Sequence, residues 1–477
     1  MFGIVLAALL VAILSSGSAS GHPQTESVQS FPPGTAIPNV VTLLNPAQSY
    51  ALYLPTKYSR DRRWPVVYVF DPLARGPLAL AQFQHAAELH GYIVAVSNNS
   101  RNGSWQLELD AAEAMFRDTQ QRLSIDVHRI FFAGFSGGAR VASQLAQLCK
   151  CSAGVLLSGA GFSHRSSPSP ESKFPVFSAV GNADFNYREL IPLQETFEKA
   201  ACPHWLRVFD GPHEWAPPNV MDEGLAWFRI QSMKSQREPR DNGFIAAQFA
   251  AAQTRASALE SSGQLLAAWR EDRQITETFD TLSDVSSARG NAVKFEKRKD
   301  LRDALKRERS DFEEQDRLSD EILDVASGPK ATDRPQTEPA GNAAVLTKEL
   351  HTRADHEKKP DRALVLRRAL AGVFVGSVES GNDALDKKDY FRASQLFACA
   401  AEANPESEFS FRNLAIARAL NGDRKGSLEA LRSARKLTKD TPAFSDWLKQ
   451  EPAFEHIRQD REFQALIGNA QRNAASP

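Results

Sequence analysis

The stretch around residues 129–148 constrains the fold most, because it joins a buried strand to a helix through a very tight turn. Residues 130–133 form a short apolar, aromatic-rich run bounded by glycine, which is typical of a strand buried on both faces. The next five residues, Gly-Phe-Ser-Gly-Gly at 134–138, fit the pattern G-x-S-x-G, and residues 139–148 are compatible with a helix. Glycines let strand and helix approach closely, and such a turn holds its central Ser136 in a strained backbone conformation with the hydroxyl above the sheet.

The sequence on both sides of this turn alternates strand and helix patterns, which is the mark of a doubly wound, mostly parallel α/β sheet. In such sheets ligands bind beyond the carboxyl ends of the strands. Ser136, Asp184 and His213 each lie just past a predicted strand, so we expect their side chains to meet at one edge of the sheet. The predicted strands are 49–55, 65–72, 92–97, 130–133, 153–158, 175–180 and 204–209, and the predicted helices are 78–90, 105–123, 139–148, 188–200 and 218–233.

The residue types at these three positions suit nucleophilic catalysis. A serine hydroxyl is a poor nucleophile near neutral pH and needs a neighbouring base, which in turn needs an acid to orient it. The chain order expected in this kind of sheet is serine, then acid, then histidine, and Ser136, Asp184 and His213 follow that order. We therefore predict that these three are the catalytic residues, with no metal ion and no cofactor.

The sequence leaves other assignments open. The serine could be a buried structural residue of a tight turn. His164 also follows a predicted strand, although it precedes the acid in the chain, and it is the main competitor for the base. Asp210 and Glu214 lie close in sequence to the predicted histidine and could orient it instead. Asp184 could be a turn residue that bonds to its own backbone.

These motifs resemble the α/β-hydrolase superfamily, and in particular its compact serine esterases related to poly(hydroxyalkanoate) depolymerases and feruloyl esterases. The resemblance covers roughly residues 50–233 and rests on residues 134–138, 181–184 and 213–215; residues 97–105 also look like a substrate-side loop of such enzymes. The resemblance implies hydrolysis of carboxylic esters through an acyl-enzyme. The serine would attack the carbonyl, the histidine would move the proton, and the aspartate would fix the imidazole.

The resemblance also implies two backbone N–H groups that bind the oxyanion. One should be the N–H of Gly137, the residue after the nucleophile. The second normally comes from the loop after the third strand, here residues 70–76, where relatives often carry His-Gly. Pro72 stands in this loop and has no N–H to donate, so we predict Leu73 as the second donor.

Three functions remain open at this point. Only residues 159–174 separate two predicted strands where lipases and many esterases insert a lid, so the resemblance implies an open cleft and an accessible or polymer-like ester substrate. A serine peptidase of the same fold is an alternative, although the propeller or cap that gates many such peptidases is missing. The departure at Asp71 and Pro72 motivates a third hypothesis, a catalytically weak hydrolase core that serves as a binding platform.

Composition bounds the partners and the compartment. The chain has 57 Lys+Arg against 58 Asp+Glu, and this near-neutral balance argues against nucleic acid as the main partner. Residues 2–14 are an uninterrupted apolar or glycine run followed by small residues, which predicts a signal peptide at 1–20 and a secreted or periplasmic protein. An uncleaved membrane anchor at 2–14 is the alternative. The four cysteines form no disulfide scaffold, but Cys151 and Cys202 could pair in an exported protein.

The 477-residue chain is long enough for two or three domains. We expect a disordered leader at 21–45, a hydrolase domain at 46–236, a charged helical segment at 237–327 and a linker at 328–361 that is helical in part. Residues 362–477 resemble tetratricopeptide repeats, which implies a helical domain with a surface for a protein partner; a plain helical bundle is the alternative. Small and large residues about 34 positions apart carry this resemblance, namely Gly381, Ala393, Phe397, Ala400, Pro405, Ala415, Ser427, Leu431 and Ala434.

Overall fold

The computed structural model describes residues 31–163, 174–328 and 341–474. The chain divides into two compact units, Met1–Arg307 and Glu308–Pro477, and each unit is described by itself. The predicted signal peptide and His164 lie outside the described residues. No helix within the described ranges combines the length and the apolar character that a membrane crossing requires.

The first unit is an α/β structure. Its strands are β1 (Ile37–Val41), β2 (Ser49–Tyr53), β3 (Trp64–Phe70), β4 (Ile93–Ser97), β5 (Ile125–Phe135), β6 (Ser152–Ser158), β7 (Val176–Gly181) and β8 (His204–Phe209). Its helices are α1 (Gly76–His90), α2 (Trp105–Arg122), α3 (Gly137–Leu148), α4 (Tyr187–Lys199), α5 (Pro218–Lys234), α6 (Asn242–Ser261), α7 (Leu265–Phe279) and α8 (Ser286–Lys297). Helix α9 (Lys299–Ser327) contains the boundary between the two units.

The strands form one 8-stranded sheet in the order β1-β2-β4-β3-β5-β6-β7-β8. Strand β2 runs antiparallel to both β1 and β4. The remaining neighbours, in the order β4-β3-β5-β6-β7-β8, all pair in parallel. The prediction of a doubly wound, mostly parallel α/β sheet is therefore confirmed. Because all parallel strands run the same way, the loops after β3, β5, β7 and β8 leave from one edge.

Both faces of the sheet are covered by apolar residues, so its central strands are buried on both sides. All seven residues of β3 are buried, and successive residues of β5 point to opposite faces. Phe131 packs in one core together with Phe83 of α1 and Phe228 of α5, while Phe132 packs in the other core with Phe116 of α2. Because this strand is buried on both faces, its sequence is continuously apolar instead of alternating between apolar and polar residues.

Helices α6 and α7 pack on the first of these cores, beyond residue 236. Ile245, Ala252 and Phe279 are buried in the same cluster as the sheet residues. Arg207 of β8 also pairs with Glu271 of α7 at 2.8 Å, and Glu271 is only 3% exposed. Part of the segment that we predicted as a separate charged region, 237–327, therefore belongs to the first compact unit.

The segments that we predicted as a disordered leader and as a linker both contain regular secondary structure. Residues 37–41, which fall in the predicted disordered leader at 21–45, form β1, and the prediction was wrong there because β2 supplies the backbone hydrogen-bond partners that the local sequence does not reveal. Residues 341–356 of the predicted linker at 328–361 form helix α10 (Gly341–His356). Residues 329–340 lie outside the described residues.

The second unit is all-helical. Besides part of α9 and α10, it contains α11 (Pro360–Asp386), α12 (Tyr390–Ala403), α13 (Glu408–Leu420), α14 (Arg424–Leu437), α15 (Thr441–Gln450) and α16 (Arg461–Ala474), with a 3₁₀ turn at Pro452–Ile457. This unit begins before the predicted boundary at 362, because Leu318 of α9 and Leu350 of α10 are buried in the same core as α11 and α12.

The positions that carry the repeat resemblance are mostly buried between helices. A Cβ added to Gly381 would lie 2.9 Å from the ring of Phe397, and the Ser427 hydroxyl donates a hydrogen bond of 2.9 Å to the carbonyl of Ala415. Small residues at such contacts let neighbouring helices approach closely. The helical character of the region is confirmed, whereas its assignment to tetratricopeptide repeats stays a prediction. The fully buried members of the set are Ala393, Phe397, Ala400, Ala415, Ser427, Leu431 and Ala434.

The disulfide joins Cys149 to Cys151, not Cys151 to Cys202. The two bonded residues follow α3, and their Cα atoms are 5.1 Å apart, within the range of about 4.4–6.8 Å that a disulfide needs. Cys202 is buried beside strand β8. The pairing that the sequence left open is therefore not formed in this structure.

The contact between Gly381 and Phe397 makes a packing prediction. Gly381→Ala should lower the free energy of unfolding of the second unit by about 1–3 kcal/mol, because the added methyl group meets a fully buried ring. Gly468→Ala in α16 is the matched control, since a Cβ there meets nothing within 4 Å, and it should leave stability unchanged or raise it. Thermal unfolding of the two full-length variants provides the measurement, and equal melting temperatures would contradict the packing argument.

Candidate active site

Ser136 lies in the sharp turn between β5 and α3 with φ 53° and ψ −121°. A non-glycine residue rarely adopts a positive φ, and such strain persists only where the surroundings impose it. The surroundings here are backbone atoms: a Cβ on Gly134 would lie 2.1 Å from the carbonyl oxygen of Gly138, and one on Gly138 would lie 2.1 Å from that of Phe70. Both glycines of the motif are thus required, and the turn raises the serine hydroxyl above the sheet.

The three residues predicted from chain order lie together. The Nε2 atom of His213 is 2.9 Å from the Oγ atom of Ser136. Its Nδ1 atom is 2.9 Å from both carboxylate oxygens of Asp184. The carboxylate is fully buried, while the imidazole is 16% exposed. The arrangement connects one hydroxyl, one imidazole and one carboxylate in a continuous chain of hydrogen bonds.

The environment of Asp184 holds the carboxylate in place and raises its pKa. Burial raises the pKa, and the hydrogen bond and charge of His213 together with the N–H of Asn186 oppose this effect without cancelling it. The backbone N–H of Asn186 donates to Asp184 Oδ1 at 2.8 Å, and the Asn186 side chain donates to the carbonyl of Gly159 at 2.7 Å. Asp184 therefore makes both of the contacts that the sequence left open, since it bonds to its own turn and to the imidazole.

The competing residues take other positions. Asp210 accepts a hydrogen bond of 3.0 Å from the side chain of Asn182, and the carboxylate that bonds His213 belongs to Asp184. Glu214 is exposed and lies beside Gly211: a Cβ built on Gly211 would be 2.9 Å from the Glu214 carboxylate.

Two aromatic rings flank the imidazole, and the sequence did not point to either of them. The ring centroids of Phe135 and Phe185 lie 4.7 Å and 4.5 Å from that of His213. Phe135 is the x of the motif immediately before Ser136, and Phe185 follows Asp184 directly. Their positions next to two predicted site residues are the signal that could have found them. The two rings therefore pack against the imidazole from the residues next to Ser136 and Asp184.

The two predicted oxyanion donors differ in their surroundings. Gly137 is the first residue of α3, and the first N–H groups of a helix have no partner within the helix. The N–H of Leu73, in contrast, donates to Asp71 Oδ1 at 2.9 Å, and the Leu73 side chain is 64% exposed. The donor that we predicted at Leu73 is taken up by its own loop, because Asp71 turns its carboxylate back onto the backbone.

Asp71 ties two loops of the site together. Its fully buried carboxylate accepts hydrogen bonds from Arg75 at 2.9 Å and from the Trp215 indole at 2.8 Å. Burial alone would raise the pKa of Asp71, but the hydrogen bonds from Arg75, Trp215 and the Leu73 N–H outweigh it, and the pKa is lowered. Because Trp215 lies two residues after His213, this carboxylate fixes the loop that carries the imidazole.

A second loop, residues 97–104, leaves β4 beside the same edge. The hydroxyl of Ser100 donates to the buried Glu108 carboxylate at 2.5 Å, and burial raises the pKa of Glu108. The N–H of Asn102 donates to the carbonyl of Pro72 at 2.9 Å. These contacts attach the loop to α2 on one side and to the loop after β3 on the other.

No protein-family model and no curated protein matches the sequence. Among solved structures, the chain is similar to a ferulic acid esterase, with 16% identity over 39% of this chain and 92% of that one and a TM-score of 0.33. It is also similar to the S-formylglutathione hydrolase FrmB from Staphylococcus aureus, with 13% identity, 42% and 94% coverage and a TM-score of 0.32. An esterase from Pyrobaculum calidifontis shows 13% identity, 49% and 91% coverage and a TM-score of 0.33. These values are low, and the chemistry of the site rests on its own geometry.

The role of Asp71 predicts a pH-dependent effect on stability. A carboxyl whose pKa is lowered by folding stabilises the protein above its unfolded pKa of about 4, and the contribution is lost as the pH falls through the folded value. Asp71→Asn should therefore cost about 1–3 kcal/mol at pH 7, with a smaller difference from wild type below about pH 4.

Asp210→Asn is the matched control for this measurement, because Asp210 lies in the same region and is exposed. Its melting temperature should follow that of the wild type throughout a series from pH 7 to pH 3. A difference between Asp71→Asn and wild type that stays constant over the series would contradict the proposed electrostatic origin.

Proposed function

We propose that the chain is a serine hydrolase that cleaves carboxylic esters. The observation that carries the proposal is the chain of hydrogen bonds from Ser136 through His213 to the buried Asp184, each 2.9 Å long. A base within hydrogen-bond reach of a serine, itself oriented by a third group, is the requirement for an activated hydroxyl. The strained turn that exposes the serine beside a helix N-terminus supports the same function.

The mechanism follows from these positions. The Oγ atom of Ser136 attacks the ester carbonyl while His213 Nε2 accepts its proton, and the N–H of Gly137 donates to the oxyanion that develops. The buried Asp184 stabilises the imidazolium and holds its Nδ1 proton in place, and the rings of Phe135 and Phe185 pack against the imidazole. The imidazolium then protonates the leaving alcohol, and water activated by the same imidazole releases the acyl group.

The proposed substrate class is an accessible ester, including polymeric ones. Support comes from the short connection between β6 and β7, which spans residues 159–175 and leaves little chain for a lid. We include in the proposal that the protein is exported, on the basis of the apolar run at 2–14, and that residues 362–477 bind a protein partner, on the basis of the repeat pattern in the sequence. A serine peptidase of the same fold is the competing outcome.

Hydrolysis of p-nitrophenyl acetate and butyrate, compared with a panel of peptide p-nitroanilides, tests the proposal. The full-length wild type should turn over the esters faster than the peptides, and Ser136→Ala should abolish this turnover. A fluorophosphonate probe should label the wild type at the peptide that contains Ser136. Wild-type turnover no faster than that of Ser136→Ala, or a label at another serine, would contradict the hydrolase proposal, and faster cleavage of the anilides would favour the peptidase.

The acid of the triad can be tested separately. Asp184→Asn should lower kcat by about 10⁴-fold, because the amide no longer holds the imidazole in the tautomer that accepts the serine proton. Asp210→Asn, an exposed neighbour of the same loops, is the control and should keep kcat within about twofold of wild type. If the two variants instead lose activity equally, the orienting role belongs to neither carboxylate alone.

A further inference from the structure

The side chain of Asn102 lies directly on the residue that follows the nucleophile. A Cβ built on Gly137 would be 1.8 Å from Asn102 Oδ1 and 3.3 Å from Asn102 Nδ2. The pattern G-x-S-x-G leaves the position of Gly137 open to any residue. A glycine here leaves room for the amide of the exposed Asn102, which occupies the space in which a side chain would stand.

Hydrogen bonds hold the backbone around Asn102 in place, whereas none fixes its side-chain amide. Its N–H donates to the carbonyl of Pro72, and the backbone of Arg101 forms an isolated antiparallel β-bridge with that of Leu73. The hydroxyl of Ser100 donates a hydrogen bond to the buried Glu108. None of the hydrogen bonds among residues 31–163, 174–328 and 341–474 uses the Asn102 side chain. The loop thus carries an exposed amide beside Gly137 whose two N–H groups are available to a ligand.

The site needs a donor of this kind. Pro72 has no N–H, and the N–H of Leu73 is bound to Asp71, so this loop does not contribute the donor that we expected from it. A Cβ lies about 2.5 Å from its own backbone nitrogen, which places Asn102 Nδ2 within about 6 Å of the Gly137 nitrogen. The amide oxygen Oδ1 is the nearer atom in the structure, but no hydrogen bond fixes the amide, and a half-turn about its Cβ–Cγ bond exchanges the oxygen and the nitrogen. After this exchange two donors at this separation can both reach one oxygen atom, since each hydrogen bond spans about 3 Å.

We propose that the side-chain amide of Asn102 and the backbone N–H of Gly137 together bind the oxyanion of the tetrahedral intermediate at Ser136, an assignment that rests on the hydrolase function proposed above. In this step the bond between Ser136 Oγ and the carbonyl carbon forms, and the π electrons of the carbonyl move onto its oxygen. The serine proton goes to His213 Nε2. The amide of Asn102 transfers no proton and acts only through its hydrogen bond, which strengthens as the negative charge develops.

Kinetics of four full-length variants with p-nitrophenyl acetate test the assignment. Asn102→Ala should lower kcat by about 10²–10³-fold with little change in KM, as expected for loss of one oxyanion donor. Asn102→Asp keeps the shape of the side chain but replaces the donor with an anion, so its loss should be at least as large. Gly137→Ala should also lower kcat, because the added methyl group displaces the amide. Gly103→Ala is the matched loop control, since a Cβ there meets only the Arg101 carbonyl, at 3.8 Å, and it should stay within about twofold of wild type.

The double variant Asn102→Ala/Gly137→Ala separates displacement of the amide from other effects of the methyl group. Once Asn102 has been truncated, the Gly137→Ala change should cost little more, so the two losses should not multiply. Thermal unfolding of each variant accompanies the kinetics, and Asn102→Asp, which has the shape of the native side chain, keeps the test valid if the alanine variant is unstable.

The outcomes distinguish this assignment from the proposed function. If the wild type hydrolyses the ester, Ser136→Ala does not, and Asn102→Ala and Asn102→Asp stay within about twofold of wild type, then the hydrolase function stands and the role of Asn102 is overturned. A loss confined to KM would also overturn it, in favour of ground-state contact with the substrate. If the wild type neither hydrolyses the ester nor reacts with the fluorophosphonate, the hydrolase function fails, and the assignment of Asn102 fails with it.

Discussion

The arrangement depends on a contact of backbone on backbone beneath Ser136. Strand β5, the turn and the start of α3 approach β3 so closely that Gly138 has no space for a side chain against the Phe70 carbonyl. The positive φ of Ser136 stores strain of about 1–3 kcal/mol, and the buried sheet on both sides imposes it. The same contact places Ser136, the helix N-terminus and the loop after β3 at one point. The position of the hydroxyl is therefore a consequence of how tightly the central strands pack.

A second constraint, the buried carboxylate of Asp71, couples the loops that surround this point. It accepts hydrogen bonds from Arg75 and from Trp215, so that the loop after β3 and the loop carrying His213 form one body. It also accepts the N–H of Leu73. One interaction thus makes the histidine loop rigid and at the same time removes the backbone donor expected from the resemblance. The neighbouring loop that carries Asn102 is attached to the loop after β3 by the hydrogen bond from the Asn102 N–H to the Pro72 carbonyl.

Burial of the ionised Asp184 carboxylate lowers the stability of the folded protein. The pKa of Asp184 is raised in the folded protein, chiefly by burial, so its ionised form lowers the free energy of unfolding at neutral pH, and this cost disappears as the pH falls through the folded pKa. Such a cost is typical of positions that serve activity more than folding. The rings of Phe135 and Phe185 lower the exposure of the imidazole that this carboxylate orients.

The amino-acid sequence by itself determined the class of fold, the turn at Ser136 and the chain order of Ser136, Asp184 and His213, because these follow from local periodicity, glycine spacing and positions just past apolar runs. Only the tertiary structure decided which groups those residues meet. Asp71 and Trp215 are 144 positions apart in the chain, β1 exists through its pairing with β2, and Asn102 reaches Gly137 across the loop after β3. The order of strands in the sheet sets these meetings, and that order depends on the summed packing of two cores, which no single segment encodes.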